Sequence, residues 1–166
     1  MAMLKMNSAY ILAGSNMGNR LDNLQRATKK LIELGEIKRK SSLYETAAWG
    51  NENQQAFFNV AFELTTHLSG VELMKALLLI ESESGRIRNE KWEPRLIDLD
   101  ILFFNAEIID TSILQVPHPQ FQFRKFAIIP MADLAVDFIH PVLKKTVLQL
   151  LEECTDKLQV EKIDEI

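Results

Sequence analysis

Residues 57–104, FFNVAFELTTHLSGVELMKALLLIESESGRIRNEKWEPRLIDLDILFF, read as strand, helix, loop and strand. Residues 57–66 alternate as a long strand does. Ser69 and Glu72 stand three apart ahead of an apolar run, the spacing of a capping box, and Gly85 supplies a stop. That spacing predicts a helix to about Ser84. A loop rich in cationic side chains follows, and residues 97–104 form a second, largely apolar strand.

Outward from this unit the same pattern recurs. Residues 8–13 read as a buried strand closed by Gly14, and residues 20–34 as an amphipathic helix with Leu21, Leu24, Ala27, Leu31 and Leu34 on one stripe. Asn19 suits its N-cap and Gly35 its stop. Residues 37–45 complete the half as a strand. The order strand–helix–strand–strand–helix–strand predicts an α+β fold, a ferredoxin-like split βαβ sandwich. Its antiparallel-rich sheet is covered by helices and carries long active-site loops. Downstream, residues 107–109 read as a short strand, 126–134 as a helix, Thr146 as the cap of a helix to Cys154, and 158–163 as an edge strand.

The 166 residues are 47% hydrophobic and 25% charged, ordinary globular values, and residues 1–166 are expected to form a single domain. A net charge of −4 argues against non-specific nucleic-acid or membrane-surface binding, so any anion site must concentrate cations locally. One cysteine, Cys154, allows no internal disulfide and fits a reducing cytosol. No apolar run approaches a transmembrane span and no signal-peptide pattern opens the chain, so a cytoplasmic protein is expected.

Asp98 and Asp100 are two apart on a strand and share one face, with Cα atoms roughly 6.5–7 Å apart. Leu102 and Phe104 are expected to continue that face. Two carboxylates at that spacing can converge on a hard cation or bridge two cations about 3.5–4 Å apart. Bare carboxylates in an apolar strand are expensive. Arg86, Arg88, Lys91 and Arg95 next door are the chemistry for a phosphate ligand. A solvated strand face with salt bridges to those arginines is the other reading, and the residues alone leave both open.

Residues 14–19, GSNMGN, follow a strand and open a helix, as a phosphate cradle or as a plain tight turn. His118 stands between prolines in VPHP, which suits a positioned side chain or a structural one. Trp49, Phe57 and Phe126 are a slot for a flat heterocycle or ordinary core. No P-loop or protein-kinase signature is present.

FFNVAFEL, GRIR, KWEPRLIDLDIL and VPHP with RKF downstream, together with AGSNMGNR and SSLYETAAWG, resemble the 6-hydroxymethyl-7,8-dihydropterin pyrophosphokinases over residues 9–134. The resemblance implies transfer of the β,γ-pyrophosphoryl group of ATP to 6-hydroxymethyl-7,8-dihydropterin, releasing AMP, in folate biosynthesis. It implies two Mg²⁺ ions on Asp98 and Asp100. Arg86 and Arg95 match its phosphate-gripping arginines, and Arg88 and Trp92 fall on its lid loop. Glu81, His118 and Arg124 fall on its nucleotide side. Asn59 matches an asparagine that bonds the pterin, Phe57 and Phe126 the pair that sandwiches it, and Thr46, Ala47 and Trp49 the backbone that completes the pocket. It also implies small-molecule substrates and a monomer. Phe57 stands where tyrosine is frequent, and Ile113 and Gln115 lack a polar or basic pattern of some members. No separate general base is evident. Two other classes stay open: another metal-dependent phosphotransferase or nucleotidyltransferase using the same carboxylates, and a non-catalytic binding module.

Overall fold

The computed structural model describes residues 4–47, 54–85 and 96–164. Strand β1 (Asn7–Ser15) leads to helix α1 (Arg20–Ile32), β2 (Glu36–Lys40), β3 (Leu43–Thr46), β4 (Phe57–Thr66), α2 (Gly70–Glu83) and β5 (Asp98–Phe104). The helices begin where their local chemistry says. The Asn19 side chain accepts from the Asp22 amide, and Ser69 and Glu72 form the reciprocal capping box. Beyond β5 come a two-stranded ribbon of β6 (Ile109–Asp110) and β7 (Gln115–Val116), then α3 (Lys125–Ala135), α4 (Val147–Glu153) and β8 (Val160–Ile163).

The main sheet runs β5-β1-β4-β3-β8, with β2 also paired to β4 and every pairing antiparallel. This is the split βαβ order, with β8 added at the edge beside β3. Residues 37–45 were expected as one strand, and the structure breaks them into β2 and β3. At the break Ser41 takes both backbone groups of Ala61: its amide donates to the Ala61 carbonyl at 2.9 Å, and its hydroxyl accepts the Ala61 amide at 2.8 Å. A side chain thus replaces one rung of the ladder.

Helices cover both faces, as period-two alternation requires when both sides of a strand are apolar. Ala9, Ile11 and Ala13 pack with α1 and α2 in one core, and Tyr10 and Leu12 with α3 and α4 in the other. Leu24, Ala27 and Leu31 of the α1 stripe are buried, whereas Leu21, in the first turn, is left exposed.

One sequence expectation about a face is corrected. Ile11 pairs with Ile101 but Tyr10 pairs with Phe103, so β5 carries an extra residue there. The irregularity puts both Leu102 and Phe103 in the α3/α4 core and turns Phe104 into the opposite one. Leu102 continues the face of Asp98 and Asp100; Phe104 does not.

Candidate active site

Four neighbouring strands end side by side at one end of the sheet. Gly14 of β1 pairs with Asn59 of β4 on one side and Asp98 of β5 on the other. Leu12 pairs with Asp100, and Thr46 of β3 pairs with Phe57 of β4. Directly paired residues project to the same face. Thr46, Phe57, Asn59, Asp98 and Asp100 therefore all rise on the α3/α4 side. They line a cavity of about 1050 Å³.

The same cavity is lined by Ala47, Glu81, His118, Arg124 and Phe126, so the structure brings together all ten of the expected site residues that fall among the described ones. Arg86, Arg88, Trp92 and Arg95, with Lys91 and Trp49, lie outside the described residues. Of the aromatic slot, Phe57 and Phe126 both reach the cavity.

Each element has a local reason to be where it is. β5 is an edge strand, and two of its backbone groups are bonded from outside the sheet. The Leu99 amide, between the two aspartates, donates to Oε1 of the buried Glu81 at 2.9 Å, and the His118 amide donates to the Leu102 carbonyl at 2.9 Å. Glu81 therefore acts on the strand that carries the carboxylates, as well as facing the cavity.

Arg20 ties β3 to the residue that leads into β4. Its guanidinium donates at 2.7 Å to Glu45 and at 2.7 Å to the Ala56 carbonyl, and lies 3.7 Å above the Phe58 ring. At the β1–α1 turn side chains brace the backbone. Ser15 Oγ accepts from Asn23, and the buried Asn16 side chain donates to Gln54 Oε1 at 3.0 Å. Asn16 and Gln54 were not singled out from the sequence, because their link crosses 38 residues.

His118 is held well below its ordinary value, at about 4, first by burial and then by the nearby Arg124 cation, with Asp98 pulling the other way. It is therefore neutral at pH 7. Its Nδ1 accepts the Gln120 amide at 3.1 Å, which leaves the proton on Nε2 as a donor. The Arg124 guanidinium lies 5.6 Å from the centre of the Phe126 ring, joining the cationic and aromatic parts of the cavity. Among the described residues, the buried Thr46 Oγ1 and Gln122 Oε1 have no partner, and both residues line the cavity. Gln122 was not picked out by the sequence, where a single Gln carries no signal.

Among the described residues no third acid, histidine or cysteine joins Asp98 and Asp100. The described donor set is two carboxylates opening onto a cavity. That suits magnesium, which takes one or two protein carboxylates and completes its octahedron with water and phosphate oxygens. It does not suit a closed structural site.

Comparisons with known proteins bear on the family and the fold. Residues 10–136 match the family model of 7,8-dihydro-6-hydroxymethylpterin-pyrophosphokinase. The chain is 39% identical over 152 residues to the 2-amino-4-hydroxy-6-hydroxymethyldihydropteridine pyrophosphokinase of Aquifex aeolicus, covering 92% of this chain and 95% of that one. It is 40% identical over 153 residues to the enzyme of the same name from Synechocystis sp., covering 90% and 78%. A solved structure of Plasmodium falciparum HPPK-DHPS shares the fold, with a TM-score of 0.71 at 16% identity. The match covers 90% of this chain but 45% of that longer one.

Proposed function

Because the chain belongs to the 7,8-dihydro-6-hydroxymethylpterin pyrophosphokinase family, we propose that its cavity brings ATP with two magnesium ions against the pterin and releases AMP. The reaction is pyrophosphoryl transfer to 6-hydroxymethyl-7,8-dihydropterin, a step of folate biosynthesis. One observation carries the site reading. Asn59 and Asp98 flank Gly14 on adjacent strands and open into the same cavity, so a pterin edge and a triphosphate can meet there.

In this reading Asp98 and Asp100 hold the magnesium ions. Ions held there would supply charge neutralisation for the triphosphate and a lowered pKa for the hydroxymethyl group. Phosphoryl-type transfer needs in-line placement and charge neutralisation more than covalent chemistry, and the chain's own groups supply both. Arg124 offers a planar fork of donors to phosphate oxygens, and neutral His118 offers Nε2–H beside it. Glu81 keeps the strand of the two aspartates in register from the nucleotide side. Phe57 and Phe126 sandwich the pterin ring, and Asn59 pairs with its amide-like edge, since one planar group there both donates and accepts. Thr46, Ala47 and Trp49 close the pocket with backbone groups. Arg86 and Arg95 grip the phosphates, while Arg88 and Trp92 belong to the lid. Residues 1–166 act as a single domain. We read the enzyme as a monomer, because one chain supplies groups for both substrates, and place it in the cytoplasm, where a free thiol such as Cys154 stays reduced.

The test is product identity. The protein with ATP, Mg²⁺ and 6-hydroxymethyl-7,8-dihydropterin should yield AMP and the pterin diphosphate in equal amounts, resolved by chromatography. ADP or free pyrophosphate as the nucleotide-side product, or turnover without Mg²⁺, would overturn the reading.

A further inference from the structure

We infer that Gly14 is a positioning residue for the pterin, acting through Asn59. The inference rests on the proposed role of Asn59 and adds a residue to it. A glycine inside a central strand weakens that strand, and where its backbone is not in the left-handed region the remaining reason is close approach by another group. Gly14 is paired on both sides, and the glycines with positive φ among the described residues are Gly18 and Gly85, not Gly14.

The approaching group is the Asn59 amide. A Cβ built on Gly14 would lie 2.6 Å from Asn59 Oδ1 and 3.5 Å from a ring carbon of Phe57. The first distance is too short for any real carbon–oxygen contact, and the atom in the way is the far end of a side chain. The backbone can therefore stay while the amide turns away. Asn59 is 4% exposed, so its present orientation is set by what surrounds it, and the empty place above Gly14 is part of that surround. Gly14 itself lines the cavity between the Asn59 amide and the Asp98 carboxylate.

The experiment is a double-mutant cycle on the full chain with Gly14→Ala and Asn59→Ala. Calorimetry would measure binding of 6-hydroxymethyl-7,8-dihydropterin in the presence of a non-hydrolysable ATP analogue and Mg²⁺, and binding of the analogue alone. Gly14→Ala should weaken pterin binding by at least ~10-fold, as expected when a buried edge loses its partner. It should leave nucleotide binding and melting temperature unchanged, and raise the KM for pterin but not for ATP. In an Asn59→Ala background the same substitution should cost nothing further. If Gly14→Ala folds poorly, adding Asn59→Ala must restore folding, because it removes the clashing oxygen; no rescue overturns the inference. Wild-type pterin affinity in Gly14→Ala, with Asn59→Ala impaired, overturns the inference and spares the role of Asn59. An equal loss in both backgrounds shows a route other than the amide and also overturns it. Unimpaired Asn59→Ala overturns the role of Asn59 itself.

Discussion

Asp98 and Asp100 are half-buried, side by side on one strand face, and open to a cavity. Replacing either by Asn removes one anionic ligand with almost no change in volume. Turnover of Asp98→Asn or Asp100→Asn should fall by at least about 10²-fold, about 2.7 kcal/mol of barrier. The metal-free protein should still fold cooperatively, because the exchange barely changes side-chain volume. Steady-state assays at saturating Mg²⁺ and a thermal melt would check both halves, and near-normal turnover in either variant contradicts metal binding by the pair. These residues were legible in the sequence for a physical reason: carboxylates in an apolar strand are costly, so their presence demands a partner. Gly14 was only half legible. Its contribution is the volume it leaves empty, and that volume means nothing until β4 is laid beside β1 and the Asn59 amide is found in it. The same holds for Glu81, whose bond to the Leu99 amide spans 18 residues.

At the scale of elements, what is local was readable and what is tertiary was not. The caps of α1, α2 and α4 lie within three residues of the amides they serve, and Asn19, Ser69 and Thr146 announce them. Helix α3 is different. Its own cap residue, Arg124, makes no side-chain capping bond. Asp156 caps it instead from 31 residues away: Oδ2 accepts the Lys125 amide at 3.1 Å and Oδ1 the Leu158 amide at 3.0 Å. The carboxylate thus ties the chain after α4 to the turn that carries Arg124 and Phe126, and its charge suits a helix N-terminus. Asp156→Ala leaves two amides without their acceptor and should cost about 1–2 kcal/mol of stability. In a chain of this size that lowers the melting temperature by about 2–4 °C per kcal/mol. Pterin binding should weaken several-fold as Phe126 loosens, and Asp156→Asn, keeping one acceptor oxygen, should recover part of both. A calorimetric melt and a pterin titration would check this; full pterin affinity in Asp156→Ala would break the link between tail and pocket. The split of residues 37–45 and the turn of Phe104 escaped the sequence for the same reason. Each depends on a partner strand, Ala61 opposite Ser41 in one case and the irregular pairing with β1 in the other.

The whole molecule is three layers, and the cavity draws on the outer α3/α4 layer for Phe126 and Arg124, so the integrity of that layer bears on function. His140 sits in it at 4% exposure, its ring edge-on to Phe103 at 5.6 Å. Its Nδ1 accepts both the Val142 and Leu143 amides, at 3.2 and 3.1 Å, which shapes the turn leading into α4. Burial pushes its pKa below the ordinary 6.5. The sign follows from linkage. Above about 6.5 the ring is neutral in both folded and unfolded chains and its contribution is fully present. As pH falls below 6.5 the unfolded chain binds the proton first, so stability declines, and the decline continues until the folded ring is protonated as well. His118, held to about 4, acts in the same direction over 6.5 to 4. The slope for each histidine is at most about 1.4 kcal/mol per pH unit. The melting temperature should therefore be nearly level from pH 8 to 7 and fall by several degrees by pH 5.5, before paired carboxylates begin to titrate. His140→Asn keeps an acceptor for the two amides but cannot titrate. It should preserve stability at pH 7.5 to within about 1 kcal/mol and lose a clear part of the fall in melting temperature between 7 and 5.5. Thermal melts of both proteins across that range decide it: an unchanged slope in His140→Asn would remove His140 as a source of the pH dependence and leave His118 to account for it.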